Sequence, residues 1–170
     1  MRIRIVVPVA AVCAATAVLG AGTLASGQPA SATKAPAGAD PENRALFAVL
    51  TGGKEVDAEG NRGVGDPDGR GSFTATVDGA QLCFGITVKN IAAPAAAHIH
   101  KGRPNQAGGV VVPLTPHPAT GDPGASSGCV EVAADIAGAI LKNPRKYYAN
   151  VHTAPYPGGA VRGQLFRKSR

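Results

Sequence analysis

Three histidines are the residues of this chain best suited to chemistry: His98 and His100 in Ala97-His98-Ile99-His100-Lys101-Gly102, and His152 in Asn150-Val151-His152-Thr153. A strand turns successive side chains to opposite faces, so His98 and His100 share one face and Ile99 takes the other. A third imidazole on a neighbouring strand would complete most of a first shell for copper or zinc, because neutral imidazole is a borderline ligand for both. His117, in Thr115-Pro116-His117-Pro118, and Arg162 are further polar residues of the chain. The same histidines equally suit a plain architectural task, hydrogen-bonding across strands to fix their register with no metal. Arg162 has its own bland reading, pairing with a carboxylate or facing solvent. Both roles stay open at the level of sequence.

The elements that must position these side chains are short strands. Most of the 23 glycines and 14 prolines punctuate alternating or β-branched runs. Alternation predicts strands over Ala45–Thr51, Ser72–Val77, Gln81–Lys89, Ala95–Lys101, Gly109–Leu114, Cys129–Val132, Tyr147–Thr153 and Ala160–Phe166. Asp78-Gly79 predicts a tight hairpin turn, since the pair tolerates positive φ. Lys54–Gly71 is a polar loop, Thr115–Gly128 a Pro/Gly/Ser loop, and Pro155-Tyr156-Pro157-Gly158-Gly159 a turn. Asp135–Leu141 is the one helical segment, with Ile136 and Ile140 four apart, Asp135 as a candidate cap and Asn143-Pro144 as its stop. Tyr147 and Tyr148 face opposite ways, one toward the core and one toward the surface near His152. Many short strands with little helix imply an all-β, antiparallel two-sheet sandwich or small barrel.

The first 32 residues have the layout of a secretory signal peptide: Arg2 and Arg4, an apolar stretch from Ile5 to Leu19, then small residues ending at Ala30-Ser31-Ala32. That stretch is too short for a stable membrane span. Residues 33–43 read as a flexible leader, 44–167 as one domain, and 168–170 as a basic tail. Removing two of the 17 basic residues with the signal, against 11 acidic ones, leaves a net charge of +4. No basic stripe interleaved with aromatics is present, so nucleic acid is a poor fit, whereas loose attraction to an anionic cell wall is compatible with the charge. Of three cysteines, Cys13 falls in the signal. Cys83 and Cys129 remain, and in an exported chain two cysteines argue for one disulfide, with two free buried thiols as the alternative. Nothing supports hydrolase chemistry: there is no Gly-x-Ser-x-Gly elbow, and no carboxylate pair is singled out. Asp66-Pro67-Asp68-Gly69 lacks the further spacing of a calcium loop.

Several segments together resemble the CHRD domain, which occurs repeated in chordin and singly in bacterial secreted proteins. They are the His-Ile-His run, Asn143-Pro144, Tyr147-Tyr148-Ala149-Asn150-Val151-His152-Thr153, and Pro157-Gly158-Gly159-Ala160-Val161-Arg162-Gly163-Gln164-Leu165. The resemblance covers about Arg44 to Phe166. It implies an immunoglobulin-like β-sandwich related to copper/zinc superoxide dismutases. In those enzymes a His-x-His strand, a later histidine after a hydrophobic residue, and an arginine after a glycine-rich stretch meet at copper. His98 and His100, Val151-His152, and Gly158-Gly159-Ala160-Val161-Arg162 match these three elements in order. The zinc-binding residues are missing apart from His117, which stands roughly where the bridging histidine would come, so the resemblance implies His117 as a candidate fourth ligand and Arg162 as a residue that could steer an anion to the metal. Two functions follow as expectations. The first is a secreted, non-catalytic binding or structural module whose partner is an extracellular protein or a cell-wall component. The alternative is a copper- or zinc-binding protein with a superoxide-dismutase-like site.

Overall fold

The structure is a computed structural model and describes residues 44–167. The expected signal peptide, leader and basic tail lie outside the described residues. Eight antiparallel strands are present: β1 (Ala45–Thr51), β2 (Arg70–Asp78), β3 (Gln81–Lys89), β4 (Pro94–Lys101), β5 (Val110–Pro113), β6 (Gly124–Glu131), β7 (Tyr147–Thr153) and β8 (Val161–Gln164). They are hydrogen-bonded in the order β5-β4-β7-β8-β1-β2-β3-β6. The ladder is thinnest where β8 meets β1, at Thr51 opposite Arg162, with a further bridge between Phe47 and Phe166. There the sheet folds over on itself. Its two edges nearly meet: a side-chain carbon at Gly128 of β6 would stand 3.0 Å from the Thr115 carbonyl oxygen just after β5. The all-β expectation holds, in the form of one sheet curled almost closed.

Alternation explains which side of each strand is dry. Leu46, Ala48 and Leu50 of β1, Phe73, Ala75 and Val77 of β2, and Leu82, Phe84, Ile86 and Val88 of β3 all point into the core. Ile99, Ala149, Val151 and Val161 supply the same interior from β4, β7 and β8. Burying a side chain of this size contributes roughly 2 kcal/mol. The single α-helix among the described residues, α1 (Ala134–Lys142), buries Ala137 and Ile140.

Local chemistry departs from the sequence expectation at three places. The β2–β3 hairpin uses Gly79 and Ala80 as its loop residues, one position later than Asp78-Gly79, because Gly79 carries the positive φ of 60° while Asp78 still pairs with Gln81. Asp135 does not cap α1: Ala133 holds the N-cap position without a side-chain bond, and Asp135 sits in the first turn, where the helix dipole favours a carboxylate. The strand through Cys129 begins at Gly124, five residues earlier than expected, since pairing with β3 runs from Val88 opposite Gly124 to Gln81 opposite Glu131. Cys83 and Cys129 face each other in that ladder and form a disulfide.

Candidate metal centre

The outer face of β4, β7 and β8 is polar and is itself covered. Along the ladders Ala96 stands opposite His152, His98 opposite Asn150, and His100 opposite Tyr148. Asn150 in turn faces Arg162, and Tyr148 faces Gln164. Directly opposed residues share a face, so these side chains form one continuous layer back to back with the core. Segment 102–109 is tied across it: Arg162 Nη2 donates to the carbonyls of Arg103 and Gln106 at 3.0 and 2.9 Å, and Gln164 Nε2 donates to Gly102 at 2.6 Å. The cover leaves Tyr148, Asn150, His100 and Arg162 buried, and His98 and His152 half-buried.

The three histidines meet. One ring nitrogen from each of His98, His100 and His152 lies within 4.8 Å of the others. Two of the rings are held by their Nδ1 atoms: His100 Nδ1 is 2.9 Å from the Gly108 carbonyl, and His152 Nδ1 is 3.0 Å from the Pro157 carbonyl. A carbonyl only accepts, so each Nδ1 carries the proton and each Nε2 carries a lone pair. Those two Nε2 atoms point together at 3.3 Å. Two lone pairs at that distance repel unless a proton or a cation lies between them. Burial, more than the neighbouring charges, pushes His100 down to about 4, and burial likewise lowers His98 and His152. The lowered values favour neutral rings at pH 7, the form in which three imidazoles could hold a cation. His98 Nδ1 is buried with no hydrogen-bond partner at all. The spacing fits too: metal–nitrogen bonds of about 2.0–2.1 Å at a tetrahedral angle put two ligand nitrogens about 3.3–3.4 Å apart. The donor set is all imidazole, which suits copper or zinc over calcium or magnesium.

The other residues singled out in the sequence sit nearby in different roles. His117 is close enough for its charge to lower His98, but its Nδ1 bonds the Pro118 carbonyl at 3.0 Å, and it stands outside the three-histidine group. Arg162 is 2% exposed, and its guanidinium carbon lies 3.5 Å from the centre of the Tyr148 ring. That ring stacks on His100 with centroids 4.9 Å apart and planes 9° from parallel. Arg162 thus touches a residue that touches a candidate ligand, and its charge helps lower His100. Of the two tyrosines, one expected at the core and one at the surface near His152, both are buried: Tyr147 joins the core, and Tyr148 lies against His100 under segment 102–109, where Gly108 N–H donates to its hydroxyl at 3.1 Å.

Glu55 is the participant that sequence reasoning missed. It lies in the expected polar loop, yet only 2% of it is exposed. Its Oε1 is 3.5 Å from Asn150 Nδ2 and 4.0 Å from Arg162 Nη1, too far for strong bonds. Burial outweighs the Arg162 charge and raises its pKa to about 7. Gly159, at φ 144°, is required beside it, since any side chain there would strike the Glu55 carboxylate. A lone acid between Gly53-Lys54 and Val56 carries no sequence signal that separates it from a surface acid.

No curated protein and no solved structure matches this chain. Residues 46–165, which take in all eight strands but for the first residue of β1, match the CHRD domain, and the chain belongs to that family.

Proposed function

We propose that this CHRD domain is an extracellular module that holds one copper or zinc ion on His98, His100 and His152. The observation that carries the reading is the pair of lone-pair-bearing Nε2 atoms on His100 and His152, facing each other 3.3 Å apart with both Nδ1 atoms committed to carbonyls. Purely structural histidines would not need that arrangement, because hydrogen bonds to strands or loops leave no reason for two acceptors to converge. The backbone carbonyls of Gly108 and Pro157 fix the ring tautomers, as outer partners of metal-bound imidazoles do. Tyr148 holds the plane of the His100 ring, and Arg162 holds Tyr148. A bound ion supplies Lewis acidity and, if it is copper, one-electron redox capacity. The chain supplies orientation and a half-buried setting that solvent reaches through His98 and His152. Export fits the disulfide and the signal-like first 32 residues, and no described helix is long and apolar enough to cross a membrane. His117 as a fourth ligand and Arg162 as an anion guide belong to the same proposal. A cell-surface partner does as well.

Metal content by mass spectrometry tests it, on untagged protein exported with copper and zinc available. About one ion per chain is expected. His98→Ala is the cleanest variant, because His98 Nδ1 makes no hydrogen bond whose loss would disturb the fold. It should empty the site, with little change in the melting temperature of the metal-free protein. A folded protein without copper or zinc under these conditions sinks the proposal. A superoxide assay on copper-loaded protein then separates redox chemistry from binding.

A further inference from the structure

A second site lies away from the histidines, where α1 runs into β7. A cavity of about 540 Å³ there is lined by Arg103, Lys142, Arg145, Lys146 and Arg167 together with Pro104, Pro144 and Phe166. A neighbouring cavity of about 400 Å³ is lined by Lys54, Arg62, Arg145 and Arg162. The two share Pro104, Arg145 and Phe166, so they form one groove. No Asp or Glu lines either part. Among the described residues, no carboxylate stands within ion-pair distance of Arg103, Lys142, Arg145, Lys146, Lys54 or Arg62. Apart from Glu55 beside Arg162, the described acids do not border the lining, so a modest overall charge becomes a strong local one along this groove. Arg162 adds a buried cation: it is 2% exposed, and its Nη1 makes no hydrogen bond, with Glu55 Oε1 4.0 Å away.

We infer that the groove binds an anionic glycan, a chain of sugar rings carrying carboxylate or sulfate groups. The sign of the ligand follows from the lining: several cations without a counter-charge gain most from an extended ligand with several negative groups. Its ring character follows from the apolar residues among them. Phe166, 37% exposed, lines the groove together with Pro104 and Pro144, and flat apolar surfaces of this kind accept the C–H faces of sugar rings. Nucleic acid fits less well, because Phe166 is the only aromatic side chain lining the groove, whereas single-stranded binders stack successive bases on several. An acidic protein would satisfy the charges but leave no use for the Phe166 and proline floor. The occupant is set by the groove alone and does not depend on a metal at the histidines.

The test measures binding of labelled oligogalacturonate (carboxylated) and a heparin-derived decasaccharide (sulfated) to the full protein from an exporting host. Neutral dextran and poly-glutamate of matched length are the comparison ligands. Arg145→Glu reverses the one charge shared by both parts of the groove, on an exposed side chain. Lys89→Glu makes the same change in net charge outside it. At least one anionic glycan should bind, with affinity falling as salt rises. Dextran should not bind, and poly-glutamate should bind at least tenfold more weakly. Arg145→Glu should weaken glycan binding at least tenfold, and Lys89→Glu less than twofold. Equal loss with both reversals would reduce the attraction to net charge and overturn the site. Poly-glutamate binding as tightly as the glycans would overturn the sugar assignment, and no binding to either glycan would overturn both. If only one glycan binds, the groove is confirmed and its anionic group identified.

Discussion

Glu55 shows how burial can override a favourable charge. Arg162 lies 4.0 Å away and lowers its pKa, yet desolvation dominates and lifts it from 4.5 to about 7. The unfolded chain, with this acid near 4.5, sheds its proton first as pH rises. Between about 4.5 and about 7 the folded state still holds that proton, so stability from neutral Glu55 is whole below 4.5 and drains away toward 7. At about 1.4 kcal/mol per unit, the loss approaches ~3 kcal/mol. The histidines act in the opposite sense: their folded pKa values are lowered from 6.5, so their contribution is lost as pH falls below that value. Glu55→Gln isolates the acid. The variant should match the wild type near pH 4.5 and be more stable by ~3 kcal/mol at pH 8 in denaturant titrations of metal-free protein. Parallel curves from pH 4.5 to 8 would mean that Glu55 ionises in the fold much as it does in the unfolded chain.

Strand β6 depends on its crosslink more than any other element does. Its inward positions are Gly124, which is buried, and Ser126, Gly128 and Val130, which are half-buried, so it brings little apolar surface to the core. It pairs only with β3, through a ladder pinned by Cys83 and Cys129. A crosslink spanning 46 positions stabilises by roughly 4 kcal/mol on the chain-entropy account. Replacing both cysteines with serine should lower stability by up to ~4 kcal/mol. Hydrogen exchange should speed up in β6 before it does in β1 and β2, and equal acceleration in all strands would contradict this view of the edge. The thinness of β6 also explains why half of it escaped the sequence reading. Gly124-Ala125-Ser126-Ser127-Gly128 has no apolar alternation, and only the partner strand makes it extended. Strands β1 and β3 were legible to the residue because each alternates over its full length against a core, and β7 was legible too although both of its faces are covered. The His98/His100 face was legible for the same reason, with Ile99 as the inward marker. Glu55, Asn150 and the burial of Tyr148 were not, since they arise where segments 52–69 and 102–109 close over the sheet, and no local pattern records which loop lands on which strand.

The described domain is therefore a curled sheet with a dry inside and a polar layer over β4, β7 and β8, and the loops over that layer report on the site beneath them. Gly108 and Pro157 each lend a carbonyl to a histidine whose other nitrogen faces the proposed ion. An opening that lifts either loop turns its ring free and spoils the donor set. The ion should therefore oppose those local openings as well as global unfolding. With metal a thousandfold above its dissociation constant, a state that has lost the site is disfavoured by ~4 kcal/mol. Backbone amides in 102–109 and 154–159 should exchange markedly more slowly in copper- or zinc-loaded protein than in chelator-treated protein. Amides of the β2–β3 hairpin that exchange by local fraying should not respond, since fraying at Gly79 leaves the histidines in place. His98→Ala, which removes a ligand but no loop bond, should abolish the difference while leaving both loops folded. Slowing confined to the most protected core amides would show that metal opposes only global unfolding and that the loops open independently of the site. Slowing that persists in His98→Ala would place the ion elsewhere on the molecule.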